Sequence, residues 1–468
     1  MEYTELQGKR VVVMGLGAHG GGEATARYCA AQGARVLVTD LRRSEELREG
    51  IERLSGLDIE FVCGEHRDRD FETADLVVKN PAVPRNSPFL KNVKRIETDL
   101  SLFLGRHSGP TYGVTGTKGK STTASALHHI LRRAGVNAML GGNITVSPLT
   151  FVDTIGPDDP VVLELSSFQL GDLLLTPAGK QGLLPRLDLA IVTNLLPDHL
   201  NYYSSMEQYA RDKAVIYSCQ RPTDWVLLPD GTALKGFPAP EPDRVITVGR
   251  TAPQKANSAG CVDDEGYLLI AGADPVHVLP RNPVIRGEHQ RENMLFAAVA
   301  AYLAGAPADL VRSAAAGFTG VPHRLEYVGE AGGTAFVNDS AATIPEAVLA
   351  AVTSFDGPVH LIAGGSDKQI PLSLFGEIAN HTATIDLLEG SATTGIIEIL
   401  KRDGHRFTGP HKTLEAAMKS AASDGVVLLS PGCASFGMFK NEFDRGDQFR
   451  ALAREMIDEY ENDVKETT

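Results

Sequence analysis

Three observations predict an α/β chain of about three domains with largely parallel sheets. Short β-branched runs ending in Gly, Asp or Asn alternate with Ala/Leu/Arg-rich segments that read as helices. The 468 residues exceed what one hydrophobic core can hold, and roughly 150 residues per domain gives about three domains. Two glycine-rich loops each follow an apolar strand-like run and precede a helix-like one, the arrangement in which backbone amides at a helix N-terminus meet an anion.

In chain order, Val11–Met14, Val36–Thr39 and Leu76–Val78 are predicted strands, because valine's branched Cβ suits an extended backbone. The same reasoning gives strands at Val161–Leu165 and Leu189–Thr193, and in the last third at Val359–Ala363, Ile385–Leu388 and Val426–Leu429. Thr122–Arg133 is a predicted helix, and 221–285 is turn-rich and strand-like. Two Gly/Pro breaks, His107-Ser108-Gly109-Pro110 and the run from Gly317 to Pro322, divide the chain into expected domains 1–109, 110–317 and 318–468. Ligands in such sheets bind at the strands' C-terminal ends, and functional residues are sought there.

Composition narrows the classes. The chain is 43% hydrophobic, and its net charge of −14 is spread without long like-charged blocks, which argues against a nucleic-acid or anionic-membrane surface. Five widely separated cysteines, none in a Cys-x-x-Cys pair, indicate neither a disulfide framework nor a cysteine zinc site. The N-terminus has no basic-then-apolar leader, and the most apolar helix-like run, Met294–Ala306, is short of the ~20 residues that span a bilayer. A cytoplasmic monomer acting on small molecules, without membrane insertion, is expected.

The first loop, Gly15-Leu16-Gly17-Ala18-His19-Gly20, is a full G-x-G-x-x-G, and Asp40 ends the next strand. By itself it favours a Rossmann-like dinucleotide unit, although the turn establishes diphosphate affinity better than it establishes NAD. The second loop runs Thr115-Gly116-Thr117-Lys118-Gly119-Lys120-Ser121. Its glycines let N–H groups close around phosphate oxygens, Lys120 reaches the terminal phosphates and Ser121 offers a hydroxyl to Mg²⁺. Val114 stands where the strict pattern has its first glycine, leaving the shorter Gly-x-x-Gly-Lys-Ser core. Two phosphate sites in successive domains suggest a diphosphate-containing substrate and ATP, hence a ligase or kinase; an NAD-dependent oxidoreductase would leave the second loop without a purpose.

Glu164 ends a strand where the second loop should lie, which makes it a plausible Mg²⁺ ligand. His199 and Lys213 are candidates by position only. Taken singly, the first is more often a surface or capping histidine and the second a solvated helix lysine.

Together, TGTKGKS, LELSSFQL, TNLLPDHL and QYARDKAVIY, followed by PHRLE, NDSAAT, GGSDK and SPGCASFGMFKNEFDRGDQF, resemble the Mur ligase family in order and over nearly the whole chain. The resemblance implies a Rossmann-like N-terminal domain, a central P-loop ATPase-like domain and a Rossmann-like C-terminal domain. It implies ATP-dependent addition of D-glutamate to UDP-N-acetylmuramoyl-L-alanine through an acyl phosphate. On it, Gly116, Thr117, Lys118, Gly119, Lys120, Ser121 and Thr122 hold ATP with Asn293, Arg324 and Asp339. Ser121, Glu164, His199 and a carbamylated Lys213 hold Mg²⁺, and Lys120, Glu164, His199 and Lys213 are the catalytic set. Gly17, Ala18, His19, Gly20, Asp40 and Asn143 take the UDP-linked substrate, with Asp40 accepting from uracil. Thr343, Lys368 and Ser435 take the amino acid.

The chain departs from the family pattern in places. Ala341 stands where a lysine is common near the amino-acid pocket, Glu442 where a phenylalanine often stands, and Gln290 replaces an asparagine beside the adenine. An L-glutamate-adding ligase shares the mechanism, and folylpolyglutamate synthetases share the central ATP domain. A catalytically silent scaffold would have lost the charged ligands, all of which are present.

Overall fold

The computed structural model describes residues 5–17, 20–143, 146–184, 186–199, 202–231, 244–281, 288–367 and 371–467. These residues gather into two compact units, the first ending at Gly317 and the second beginning at Phe318.

The first unit contains two sheets. One comprises β1 (Arg10–Met14), β2 (Arg35–Asp40), β3 (Ile59–Cys63), β4 (Leu76–Lys79) and β5 (Ile96–Glu97), all parallel in the order β3-β2-β1-β4-β5. Val11 and Val13 pack on one face and Val12 and Met14 on the other, so a strand buried on both sides reads as a continuous apolar run. The chain order reverses between β1 and β4, which opens a crevice at their C-terminal ends.

The second sheet comprises β6 (Thr111–Thr115), β7 (Met139–Gly142), β8 (Val161–Glu164), β9 (Leu189–Val192), β10 (Trp225–Pro229), β11 (Val245–Val248), β12 (Ser258–Val262), β13 (Glu265–Leu269) and β14 (Val276–Leu279). Its order is β14-β13-β12-β11-β10-β9-β6-β8-β7, parallel from β7 to β12 and antiparallel beyond. Helix Lys120–Arg133 packs along helix Glu288–Leu303; buried alanines on both (Ala124, Ala126, Ala297, Ala300, Ala301) permit the close approach.

The second unit carries β15 (Glu326–Ala331), β16 (Thr334–Asn338), β17 (Val359–Gly364), β18 (Thr384–Leu388), β19 (Thr408–His411) and β20 (Gly425–Leu429), in the order β15-β16-β20-β17-β18-β19, with β15 antiparallel to its neighbour. Arg445, on the C-terminal helix Glu442–Thr467, is fully buried. Its Nε donates to Ser340 Oγ at 2.9 Å, one Nη2 bond goes to Ser340 O at 2.9 Å, and Nη1 reaches Cys433 O at 3.3 Å. The guanidinium thus joins the loops that follow β16 and β20. Arg445→Met would leave these acceptors buried without a donor, and a loss of about 2–4 kcal/mol of stability is expected in chemical denaturation.

The expected strands differ from the observed ones by one residue at an end: Val161–Leu165 and Leu189–Thr193 stop early at Glu164 and Val192, whereas β1, β2, β4, β17, β18 and β20 each run one residue further at one end or both. The helix expected from Thr122 begins at Lys120, because Gly119 takes the left-handed backbone (φ 82°) that starts it. Among the described residues no helix is long and apolar enough to cross a membrane.

Candidate functional site

The second glycine loop lies at the C-terminal end of β6, which is flanked by β8 and β9. Gly116 has φ 148°, and a Cβ there would lie 1.9 Å from Thr193 Oγ1. A Cβ on Gly119 would lie 2.2 Å from Asn293 Oδ1, so Asn293 abuts the loop. Gly116→Ala adds both strain and overlap, about 1–3 kcal/mol. The expected outcome is a lower Tm and at least about tenfold weaker nucleotide binding by calorimetry, since backbone amides grip phosphate only when the loop keeps its curve.

Residues after β9 clasp the loop. Asn194 accepts from Thr117 N at 3.1 Å and from Lys118 N at 2.9 Å, and its Nδ2 donates to Lys118 O at 3.1 Å. Thr117 Oγ1 donates to Leu196 O at 3.1 Å and lies 3.2 Å from Tyr209 OH. Lys120 folds back so that Nζ donates to Gly116 O at 3.1 Å and Thr117 O at 2.9 Å. Thr123 Oγ1 donates to Asn293 O at 3.4 Å, joining the loop's helix to the Asn293 helix.

Lys213 is not solvated. It sits on helix Met206–Ala214, 1% exposed, with Nζ donating to the same Gly116 carbonyl at 2.7 Å and lying 4.4 Å from the Tyr209 ring centroid. Burial first, and then repulsion from Lys120, push its pKa down to about 7 against the attraction of Asp198 and Asp212. The amine is therefore substantially uncharged near neutrality.

Glu164 ends β8 and is 2% exposed; Oε1 accepts from Asn143 Nδ2 at 3.0 Å, while the buried Oε2 has no hydrogen-bond partner. A buried carboxylate oxygen left open suits a hard cation. Among the described residues no three His, Cys, Asp or Glu side chains gather as a metal cluster, so a cation here would depend on hydroxyl, lysine-derived or phosphate oxygens as well. His199 has the left-handed φ of 53°, and its carbonyl accepts from Tyr202 N and Tyr203 N. Its half-exposed ring stands edge-on to Phe168 at 5.0 Å and to Tyr209 at 6.1 Å. Tyr209 thus touches the loop, His199 and Lys213, a link that the single-residue reading missed; its signal was the four-residue helical spacing from Lys213.

In the first sheet, Gly17 (φ 74°) and Gly20 (φ 80°) bound the turn before helix Gly21–Ala31, while Ala18 and His19 lie outside the described residues. Asp40 Oδ2 accepts from Leu16 N at 3.0 Å and Gly17 N at 3.4 Å, and Oδ1 from Arg42 N at 3.0 Å. Burial would raise its pKa, but the bonds from Arg42 and Gly17 lower it overall. Asp40 organises the glycine turn from within.

In the second unit Asp339 follows β16; Ser430 Oγ donates to it at 2.8 Å and Leu325 N at 3.1 Å, and burial pushes its pKa up to about 7. Arg324 is exposed and Thr343 half-buried. Ser435 is 3% exposed and its hydroxyl has no hydrogen-bond partner; it follows an isolated bridge and caps no helix. Lys368 lies outside the described residues.

The family model described as "Mur ligase middle domain" matches residues 114–301, and "Mur ligase MurD-like, N-terminal domain" matches 9–100. A protein named UDP-N-acetylmuramoylalanine--D-glutamate ligase from Roseiflexus sp. is 43% identical, across 96% of this chain and 99% of its own. A like-named protein from Treponema pallidum is 36% identical, across 96% and 98%. Among solved structures, UDP-N-acetylmuramate-alanine ligase MurC from Thermotoga maritima superposes with a TM-score of 0.56 at 20% identity over 96% of this chain and 100% of that one. MurF ligase from the same organism, in complex with ADP, gives 0.53 at 16% identity over 98% of each chain. At these identities both show the fold alone.

Proposed function

The chain belongs to the Mur ligase family, and from that premise we propose that it is a cytoplasmic, monomeric ATP-dependent ligase that joins D-glutamate to UDP-N-acetylmuramoyl-L-alanine in peptidoglycan precursor synthesis. Full-length similarity to proteins of that name supports the substrates. The observation that carries the chemistry is the convergence of Lys120 and buried Lys213 on one carbonyl of the phosphate loop. Domains 1–109, 110–317 and 318–468 would take the UDP-linked substrate, ATP and the amino acid.

An ionised carboxylate is a poor electrophile. Its oxygen attacks the γ-phosphorus, the bond to the β–γ bridging oxygen breaks and ADP departs. The glutamate amine then attacks the acyl carbon, loses a proton, and phosphate leaves from the tetrahedral intermediate. The chain's part is to hold the groups in line and offset charge as it builds. Lys120 swings from Gly116 O and Thr117 O to the terminal phosphates, exchanging two carbonyl acceptors for anionic ones. Lys213, as free amine, attacks CO₂; the new C–N bond yields a carbamate and one proton leaves, turning a group that would repel a cation into an oxygen ligand.

Mg²⁺ fits the donors present: Glu164 Oε2 is buried and open, and Ser121, His199 and carbamylated Lys213 complete the proposed set. When bound, the cation neutralises phosphate charge. Glu164→Gln keeps the side chain's shape and an oxygen for Asn143 but removes the charge. Its half-saturating Mg²⁺ concentration should rise at least about tenfold with the circular dichroism unchanged.

The reading is tested by phosphate release from ATP and Mg²⁺ with UDP-N-acetylmuramoyl-L-alanine, comparing D-glutamate, L-glutamate and no amino acid. Release that requires D-glutamate supports it. Release that requires L-glutamate keeps the mechanism and reassigns the pocket, where Ala341 already replaces a family lysine. Release with neither removes the substrate assignment.

A further inference from the structure

The helix that carries Lys213 is fastened from outside its own sheet. Lys79, at the end of β4, is wholly buried and pairs with Asp172, itself wholly buried, while its Nζ donates to Asn80 O at 3.2 Å. Arg85 spans two carboxylates: Nε donates to Asp172 Oδ1 at 3.0 Å, and both Nη atoms grip Asp212, the first at 3.2 Å. Gly171 leaves the space for this, since a Cβ there would lie 1.8 Å from Arg85 Nη2 and 2.5 Å from Asp212 Oδ2.

Within this group two cations face two carboxylates. Such a buried quartet adds little stability compared with apolar packing, but a two-pronged arginine–carboxylate contact fixes direction and distance in a way apolar contact does not. Asp212 immediately precedes Lys213. One helix turn is thereby held at two consecutive residues, by Arg85 on one and by Gly116 O on the other. At the far end, Asn80 N donates to Met14 O at 3.1 Å and its Nδ2 to Gly15 O at 3.4 Å, so the same segment touches the first glycine turn.

We propose that Arg85 is a positioning residue for Lys213: by gripping Asp212 it fixes the helix turn that presents the lysine amine to the phosphate loop, tying that lysine to the sheet that bears the Gly15–Gly20 turn. The inference rests on the role assigned to Lys213 above.

The test uses full-length Arg85→Met, Arg85→Lys and Asp212→Asn, with hydrogen exchange of peptides covering 206–214 and 120–133 and steady-state kinetics in the UDP-linked substrate. In Arg85→Met, exchange in 206–214 should quicken at least about tenfold while 120–133 is unmoved. Its kcat should fall about tenfold or more with KM for the UDP-linked substrate changed less than about threefold, the signature of a group acting after binding. Arg85→Lys should recover part of both. Folded Arg85→Met with unchanged exchange in 206–214, or with an effect confined to KM, overturns the proposal. Should Arg85→Met not fold, Asp212→Asn decides by the same criteria. Wild-type protein that turns over neither glutamate isomer sinks the proposed function instead, and the exchange comparison still decides whether Arg85 holds the helix.

Discussion

Replacing Lys120 by methionine is expected to lower kcat/KM for ATP by on the order of 10³-fold while leaving the fold intact. The ammonium donates to two loop carbonyls, Gly116 O and Thr117 O, both of which belong to the loop it serves. Methionine matches its length without the charge, so the loop loses the bonds to Gly116 O and Thr117 O from a part-buried group. The transition state loses more, because charge develops on the transferring phosphoryl group that Lys120 is proposed to contact, and preorganised donors of this kind are worth most where charge builds. The same substitution removes the cation whose repulsion helps hold Lys213 uncharged, so the Lys213 pKa should rise. Single-turnover phosphate release checks the first effect, and the pH dependence of amine modification at Lys213 checks the second.

How much of this was legible beforehand depended on whether a residue's role is local. The loop from Gly116 to Ser121 was legible because its chemistry is contiguous: strand, glycines, lysine, hydroxyl and helix follow one another. Strands buried on both faces, such as β1 and β4, announced themselves as valine runs. β7 did not, because Met139-Leu140-Gly141-Gly142 ends in glycines that strands normally avoid. Gly142 is required because a Cβ there would lie 2.2 Å from the Glu164 carbonyl oxygen. Nor did β5, which is two residues long. Buried charges were the least legible of all. Lys79, Asp172, Lys213 and Arg445 look like surface residues in the sequence, and it is chiefly partners 12 to 105 positions away that make their burial tolerable. Asp40 reads as a ligand contact in the sequence, and in the fold its oxygens accept from Leu16, Gly17 and Arg42.

The pH response of Lys213 follows from the same burial. Its folded pKa, about 7, lies below a lysine's ordinary value of 10.5 because an ammonium loses hydration in the interior and meets Lys120 there. Below pH 7 the group is mostly charged and has no lone pair to offer; above it the free amine predominates. The amine fraction is roughly one-tenth at pH 6 and nine-tenths at pH 8, so at fixed dissolved CO₂ the rate of carbamate formation should climb nearly tenfold from pH 6 to 8 and then level off. A solvated lysine would instead keep gaining past pH 10. Protein depleted of CO₂ should therefore recover activity on adding bicarbonate, faster at pH 8 than at pH 6 when free CO₂ is matched. Lys213→Met should show no recovery, with kcat lower by on the order of 10³-fold at every pH, since methionine can neither bear the charge nor form the carbamate. Recovery that keeps accelerating beyond pH 9 would mean that the amine is hydrated in solution. Full activity in Lys213→Met would mean that the buried amine only braces Gly116 O, and that any metal relies on Glu164 and its neighbours alone.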